Sequence, residues 1–216
     1  RVIAHSKMII DNIGGLIKQT DGDERMTNFP IVKEGWPFIG IMAFATVLTA
    51  DWADFRWALI PGTVTGFFFY FFRNPRRRIE KNDAHFLSPA DGKVMGVMEV
   101  PYDEFLGEPG IKVTIFLSPL DAHLNRSPIQ GIIKYQQYVC GRFRPAYQAI
   151  AAWENERHVI GIETDKCRIL VAQIAGIMAR RIVSWVTLGT ELSQGQLYGM
   201  IKFGSCTEIT VPRRAE

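Results

Sequence analysis

The sequence predicts a mainly β fold, a compact antiparallel barrel or sandwich, preceded by a hydrophobic helical hairpin. From about residue 86 onward, short runs rich in valine and isoleucine are separated by glycine, proline, aspartate and asparagine, a pattern typical of antiparallel sheet domains. Before them stand two apolar runs without a single charge, residues 35–50 and 57–72. With 216 residues, the chain is long enough for one domain with an appendage.

The predicted strands cover most of the second half of the chain. They are residues 93–100, 111–117, 131–140, 158–163, 168–174 and 182–187. Residues 199–212 predict two further strands, separated by a break at Gly204 and Ser205. No G-x-G-x-x-G or Walker loop follows a strand, and this disfavours a nucleotide-binding fold.

The composition excludes several classes of protein. Hydrophobic residues make up 47% of the chain and charged residues 22%, which excludes wholesale disorder. The net charge of +3 is too small to indicate a nucleic-acid partner. Three widely spaced cysteines without a C-x-x-C motif indicate a reducing compartment and no disulfide framework. The four histidines stand in no ligand spacing, so we expect no metal site.

The two apolar runs are predicted to associate with a membrane as a helical hairpin. Each has 16 residues, short of the ~20 that a perpendicular spanning helix needs. Trp36, Trp52 and Trp57 lie at the ends of the runs, and basic residues flank both outer ends, which places those ends on the cytoplasmic side. Burial in the core of a soluble domain is the alternative. The sequence leaves open whether the hairpin spans the bilayer or enters one leaflet.

Three parts of the chain follow from these patterns. Residues 1–33 form an N-terminal extension that we expect to be dispensable, with a short helix over residues 7–19 as the alternative. Residues 34–80 comprise the hairpin and its basic flank, whose residues 76–78 are expected to hold anionic phospholipid at about 1 kcal/mol per basic residue. Residues 81–216 form the β domain.

Gly204 and Ser205 are the candidate reactive pair. Glycine leaves its carbonyl unhindered, and the serine places a hydroxyl beside that carbonyl. Ser205 oxygen could attack the Gly204 carbonyl in an N→O acyl shift, after which the ester could eliminate and hydrolyse to leave a pyruvoyl group. A Gly-Ser pair is common, however, and taken alone it equally predicts a β-bulge or turn.

Seven segments in family order resemble the phosphatidylserine decarboxylase family, in particular its short bacterial and archaeal branch. The resemblance covers residues 34–212. The segments are residues 34–38 (EGWPF), 71–76 (FFRNPR), 87–94 (LSPADGKV), 116–128 (FLSPLDAHLNRSP), 155–157 (NER), 174–183 (IAG and ARRIV) and 203–205 (FGS). It implies a proenzyme that cuts itself between residues 204 and 205. Gly204 would then end a large chain, and Ser205 would open a small one as a pyruvoyl group.

The resemblance also implies roles for individual residues. The pyruvoyl group would form a Schiff base with the amine of phosphatidylserine and accept electrons as carbon dioxide leaves, so neither pyridoxal phosphate nor a metal is needed. His123 is the candidate base and proton donor, and Asp91 is its acid partner. Longer relatives carry a second histidine where this chain has Arg126. Cys206 follows the reactive serine, and packing against the sheet is its expected role.

We therefore predict a self-processing carboxy-lyase of phospholipid biosynthesis. It would convert phosphatidylserine to phosphatidylethanolamine at the cytoplasmic face of the inner cell membrane. Its partners would be the anionic lipid surface and the large and small chains of one proenzyme, and a homo-oligomer stays open.

Two alternatives remain. One is a non-catalytic carrier module of lipoyl, biotinyl or phosphotransferase type, because residues 89–94 and 189–195 resemble carrier turns. The other is a decarboxylase of an ether-linked phosphoserine lipid.

Overall fold

The computed structural model describes residues 30–53, 55–82, 84–145, 154–176, 181–202 and 205–213. The described residues divide into two compact units, residues 30–77 and residues 78–213. The predicted N-terminal extension, including the alternative helix over residues 7–19, lies outside the described residues except for its last few positions. Its dispensability therefore stays a prediction.

The first unit is a helical hairpin. A short 3-10 helix, Lys33–Gly35, leads into helix α1, Trp36–Trp52, and helix α2 follows as Phe55–Phe71. Stacked rings of Phe38 and Phe72, with centroids 5.4 Å apart, join the two ends of the hairpin. Gly35 is required there, because a Cβ at this position would lie 2.5 Å from the Cβ of Phe72. The two predicted apolar helices are confirmed, with ends displaced by one or two residues.

The hairpin leaves much of its apolar surface exposed. Ile41, Phe44, Trp52 and Ile60 are each more than half exposed. Surface apolar patches of this extent mark sites of membrane or protein interaction. Among the described residues, neither helix combines the length and the hydrophobicity that crossing a membrane requires.

The second unit consists of two antiparallel sheets. Its strands are β1 Lys93–Asp103, β2 Glu108–Leu117, β3 Leu124–Arg126, β4 Gly131–Val139, β5 Arg157–Glu163, β6 Arg168–Ala175, β7 Ile182–Ser184, β8 Glu191–Leu192, β9 Leu197–Ile201 and β10 Ser205–Pro212. The larger sheet has the order β1-β2-β10-β6-β5-β4-β8, and the smaller has β3-β9-β7. The mainly β prediction is confirmed, and the two sheets form a sandwich-like arrangement rather than a closed barrel.

An apolar core holds the β unit together. Ile133, Ile160, Ile162, Ile169 and Leu192 are completely buried in one cluster, which strands β4, β5, β6 and β8 supply. The periodic valine and isoleucine runs that predicted β4, β5 and β6 therefore supply most of these core residues. Strands β3 and β8 were not predicted, because they are too short to show a hydrophobic period.

Candidate active site

Strand β10 begins at Ser205, the predicted reactive serine. Ser205 pairs with Leu117 at the end of β2 and with Ala175 at the end of β6, so it starts a strand inserted between two others. The side chain is completely buried, and its Oγ has no hydrogen-bond partner among the described residues. A buried hydroxyl without a partner costs stability, and a catalytic role is one reason for which a protein retains such a group. Gly204 lies outside the described residues, so its conformation stays a prediction.

The residues of β10 alternate between two faces. Cys206, next to the serine, lies on the outer face and packs with Ala172 and Ile174. Burial raises the pKa of the Cys206 thiol to about 12, and the nearby Glu208 carboxylate adds to the shift. The thiol is therefore protonated at neutral pH and poorly nucleophilic. The expected packing role of Cys206 is confirmed.

Backbone pairing places His123 at the level of Ser205. The amide of Ile201, at the end of β9, donates to the carbonyl of His123 over 3.1 Å. Ile201 packs against Ala175 in a small apolar cluster, and Ala175 is the β6 residue that pairs with Ser205. His123, Ile201, Ala175 and Ser205 thus form one row across the two sheets, which we call the reactive row.

A second row lies beside the reactive row, two residues away on each strand. Asn125 pairs with Gly199, and a Cβ on Gly199 would lie 2.8 Å from Nε2 of Gln173. Gln173 in turn pairs with Thr207 of β10. These four residues form the amide row. Going from the reactive row to the amide row, the residue number rises by two on β3 (His123 to Asn125) and also on β10 (Ser205 to Thr207). The two strands therefore run in the same direction. The two-residue period of strands then puts His123 on the face that Asn125 turns toward β10.

The ring of His123 is oriented by the backbone. The side chain is almost completely buried, and its Nδ1 lies 2.9 Å from the carbonyl oxygen of Asp121. A carbonyl can only accept a hydrogen bond, so Nδ1 carries a proton in this contact, and in the neutral ring the lone pair lies on Nε2. This tautomer suits a general base.

The loop that holds Asp91 is fixed at both ends near the reactive row. The carbonyl of Pro89 accepts hydrogen bonds from the Arg126 amide over 2.9 Å and from Nδ2 of Asn125 over 3.4 Å. Gly92 has a φ of +149°, and a Cβ there would lie 2.2 Å from the carbonyl oxygen of Phe116. Phe116 directly precedes Leu117, the partner of Ser205. Asp91 therefore lies at the edge of the sandwich where β10 begins.

Arg126, at the position where the resemblance implies a second histidine in longer relatives, contacts a backbone carbonyl. Its Nη1 donates to the carbonyl of Gly195 over 3.2 Å, in the turn before β9. A guanidinium has no lone pair to accept a proton at neutral pH. Arg126 therefore cannot take over the role of a base in this chain.

A chain of polar side chains inside the sandwich was not found by sequence reasoning. Nε2 of Gln136 donates to Nε2 of His158 over 2.8 Å, and Nδ1 of His158 donates to Oε1 of Gln173 over 3.2 Å. Nε2 of Gln173 donates to Oδ1 of Asn125, and Nδ2 of Asn125 donates to Oγ1 of Thr207, each over 2.9 Å. We call these five residues the polar chain. Isolated amides within apolar strands are the only signal that could have indicated it.

No three His, Cys, Asp or Glu side chains among the described residues lie close enough together to hold a metal ion.

Comparison with known proteins identifies the family of this chain. The family model described as phosphatidylserine decarboxylase matches residues 64–216. The chain belongs to the phosphatidylserine decarboxylase family. A relative named phosphatidylserine decarboxylase proenzyme, from Symbiobacterium thermophilum, is 43% identical over 86% of this chain and 86% of its own length. A protein of the same name from Carboxydothermus hydrogenoformans is 45% identical over 84% of each chain.

Family membership settles two of the predictions made from the sequence. The resemblance to phosphatidylserine decarboxylases is confirmed, and so is the prediction that the chain is an enzyme, a decarboxylase. The carrier-module alternative is wrong, because the decarboxylase match extends over most of the chain. Ser205, Gly204, His123 and Asp91 remain predictions as site residues. The structure brings the three that it describes to one edge of the sandwich.

The polar chain makes the stability of the protein depend on pH through His158. Burial lowers the pKa of His158, and a protonated Nε2 would face the Gln136 amide hydrogens. The folded protein thus binds this proton less readily than the unfolded chain. The contribution of neutral His158 to the free energy of unfolding is fully present above about pH 6.5 and declines as the pH falls below that value.

We expect acid to destabilise the wild-type protein more than the His158→Gln variant. The measurement is the free energy of unfolding in urea at pH 7.5 and pH 5.5. His85→Gln, which leaves the polar chain intact, serves as the matched control and should lose as much stability as the wild type. An equal loss in His158→Gln and the wild type would contradict the assignment of this proton to His158.

Proposed function

We propose that this protein converts phosphatidylserine to phosphatidylethanolamine at a membrane surface, with a pyruvoyl group made from its own Ser205. The main support is the Ser205 hydroxyl, which is completely buried without a partner among the described residues. The pairing of the strands relates it to His123 in the reactive row. Membership of the phosphatidylserine decarboxylase family supports the reaction. The relatives are named proenzymes, which supports a chain that is processed after synthesis.

Self-cleavage would begin with an acyl shift at residues 204 and 205. The Ser205 oxygen forms a bond to the Gly204 carbonyl carbon, and the bond from that carbon to the Ser205 nitrogen breaks. The hydroxyl proton passes to the nitrogen, which becomes a free amine. A base then removes the α-proton of residue 205 while its Cβ–O bond breaks. This step releases Gly204 with a carboxylate. Hydrolysis of the remaining N-terminal enamine consumes one water, releases ammonia and leaves the pyruvoyl group.

His123 is the proposed base for the acyl shift. Its Nδ1 proton is held by the Asp121 carbonyl, so in the neutral ring Nε2 is the nitrogen that would accept the hydroxyl proton. The same nitrogen can return that proton to the departing amine. Asp91, on the loop fixed by Pro89 and Gly92, adds a carboxylate at this edge that would stabilise a protonated His123.

The surroundings of Ser205 fit a pyruvoyl group. The neighbours of Ser205 in the reactive row include Ala175 and Ile201, both completely buried, so they give the site an apolar wall. When formed, the group supplies an electron sink for the electron pair left by carbon dioxide. His123 holds the proton that replaces the carboxylate on the substrate carbon. A dry site protects that carbon from protonation by solvent and strengthens the electrostatic effect of nearby charges.

The proposed location is the cytoplasmic face of the inner membrane, with the hairpin as the anchor. The exposed apolar side chains of α1 and α2 supply the surface that would enter the lipid. Arg73 and residues 76–78 follow α2 directly and supply positive charge for anionic headgroups.

An ether-linked lipid with the same serine headgroup would present the same reacting atoms, so it remains a second candidate substrate.

Replacing the reactive serine should abolish processing. Ser205→Ala removes the attacking oxygen, so the purified protein should keep a single full-length mass and lack decarboxylase activity. The wild type should give two chains, residues 1–204 and residues 205–216, the second without a free amine. The measurement is intact mass together with a phosphatidylserine decarboxylation assay.

Cys206→Ala is the matched control for this experiment. It changes the adjacent buried side chain on the opposite face of β10, and it should still be cut and active. Cleavage or full activity in Ser205→Ala would exclude Ser205 as the precursor of the prosthetic group.

Removing the imidazole of His123 should slow self-cleavage by about 10²- to 10⁴-fold, the usual contribution of general base catalysis. The measurement is the rate at which full-length His123→Ala converts into two chains after synthesis. His85→Ala is the control and should mature at the wild-type rate. A normal rate in His123→Ala would remove this residue from the maturation site, and a Ser205-dependent cut would then need another base.

The hairpin surface should determine membrane binding. Ile41, Phe44 and Leu48 are exposed residues of α1, and their joint replacement by glutamine preserves helix propensity while removing apolar surface. We expect this variant to lose flotation with vesicles containing anionic lipid. Glutamine at Met98, Tyr102 and Leu188, which are equally exposed in the β unit, should leave flotation unchanged. Undiminished binding of the hairpin variant after a high-salt wash would contradict the anchor.

A further inference from the structure

The polar chain ends beside the reactive serine. Its last member, Thr207, is two residues from Ser205 on the same inward face of β10. Asn125 and Thr207 are completely buried, as is Gln173. Buried polar groups of this kind are retained where each finds a partner, since a single unpaired one costs about 1–3 kcal/mol. None of the three is among the residues to which the acyl shift assigns chemistry.

Three segments carry the proposed catalytic residues. Asn125 belongs to one of them and contacts the other two. Its Nδ2 donates to Oγ1 of Thr207, on the strand that begins at Ser205. The same nitrogen lies 3.4 Å from the carbonyl of Pro89, in the loop of Asp91. Asn125 itself follows His123 by two residues, in β3. One amide therefore joins the three segments that the reaction has to align.

The directions of the hydrogen bonds in the polar chain are fixed. Thr207 Oγ1 accepts from Asn125, whose Oδ1 accepts from Gln173, whose Oε1 accepts from His158. Rotating any amide by 180° would place two donors or two acceptors against each other. Apolar contacts between sheets are not directional, whereas this chain fixes both the sliding of β3 along β10 and the rotation of the Asn125 side chain.

Alignment to within an ångström matters for the acyl shift. The base has to lie within hydrogen-bond reach of the proton that it accepts, about 2.6–3.2 Å between heavy atoms, and a displacement of 1 Å can cost about 10²-fold in rate. The reactive row contributes two apolar members, Ile201 and Ala175, which cannot fix such a distance by hydrogen bonds between side chains. The amide row next to it supplies hydrogen bonds between side chains, from Gln173 to Asn125 and from Asn125 to Thr207.

We propose that Asn125 is a positioning residue for self-cleavage, acting through its hydrogen bond to Thr207 to hold His123 and Ser205 in register across the two sheets. This inference rests on the proposed self-processing at Ser205. It concerns the rate of maturation, because the register has to be correct before the chain is cut.

The test removes the hydroxyl of Thr207 and keeps its shape. Thr207→Val should slow self-cleavage of the full chain by about ten- to a hundredfold. Thr207→Ser keeps the oxygen and should restore most of the wild-type rate. Thr210→Val makes the same substitution on the outer face of the same strand, at an equally buried position, and should mature like the wild type. The measurement is the time course of conversion into two chains.

Stability has to be measured separately from rate. Each substitution is also placed in the Ser205→Ala background, where all chains stay uncut and their free energies of unfolding can be compared. If Thr207→Val does not fold there, Gln173→Met removes the donor to Asn125 with a similar side-chain volume, and it should slow cleavage severalfold.

The outcomes distinguish a failure of the proposed self-cleavage from a failure of the positioning role of Asn125. A wild-type chain that is never cut would contradict the proposed function, and this inference with it. A wild type that is cut while Thr207→Val is cut equally fast would overturn the inference alone. Equal slowing in Thr207→Val and Thr210→Val, or failure of Thr207→Ser to restore the rate, would show that β10 needs only general packing.

Discussion

The insertion of β10 between β2 and β6 is the constraint on which the rest of the structure depends. The strand pairs with β2 along its whole length, from Ser205 opposite Leu117 to Pro212 opposite Gly110, and with β6 from Ser205 to Thr210. All eight of its residues are buried. A proenzyme cut before Ser205 would keep its short C-terminal chain, because two ladders of backbone hydrogen bonds and the apolar core hold that chain without a covalent link.

This insertion also decides what kind of chemistry the site can support. The new chain terminus would lie inside the sandwich rather than on its surface, in a row whose other members include Ala175 and Ile201. Such surroundings exclude water and leave few polar groups to stabilise charge, so the ones present have large effects. The imidazole of His123, oriented by the Asp121 carbonyl, is one of them. The polar chain brings further hydrogen bonds close to the serine without adding any net charge.

The sequence predicted some elements well for identifiable reasons. Strands β5 and β6 have long hydrophobic runs between turn residues, and their observed bounds differ from the predicted ones by a single residue. Strand β3 was not predicted, because it has three residues and stands between turns. The prediction of a strand over residues 182–187 was too long, since β7 ends at Ser184, whose hydroxyl lies 3.1 Å from the Val186 carbonyl in a turn. Short strands depend on their partners in the sheet, and these partners are distant in sequence.

By itself, the sequence determined the mainly β class, the hydrophobic hairpin and the family, because periodic apolar runs and family motifs are local features of the chain. It also named Ser205, His123 and Asp91, through motifs that carry their chemistry in a few adjacent letters. Only the tertiary structure decided that His123 shares a row with Ser205, and that the Asn125 side chain bonds to Thr207 on the strand that begins at Ser205. Those relations join residues about eighty positions apart in sequence, as in the Asn125–Thr207 bond. They exist only once two sheets have packed, because non-local contacts follow from the fold and not from neighbouring residues.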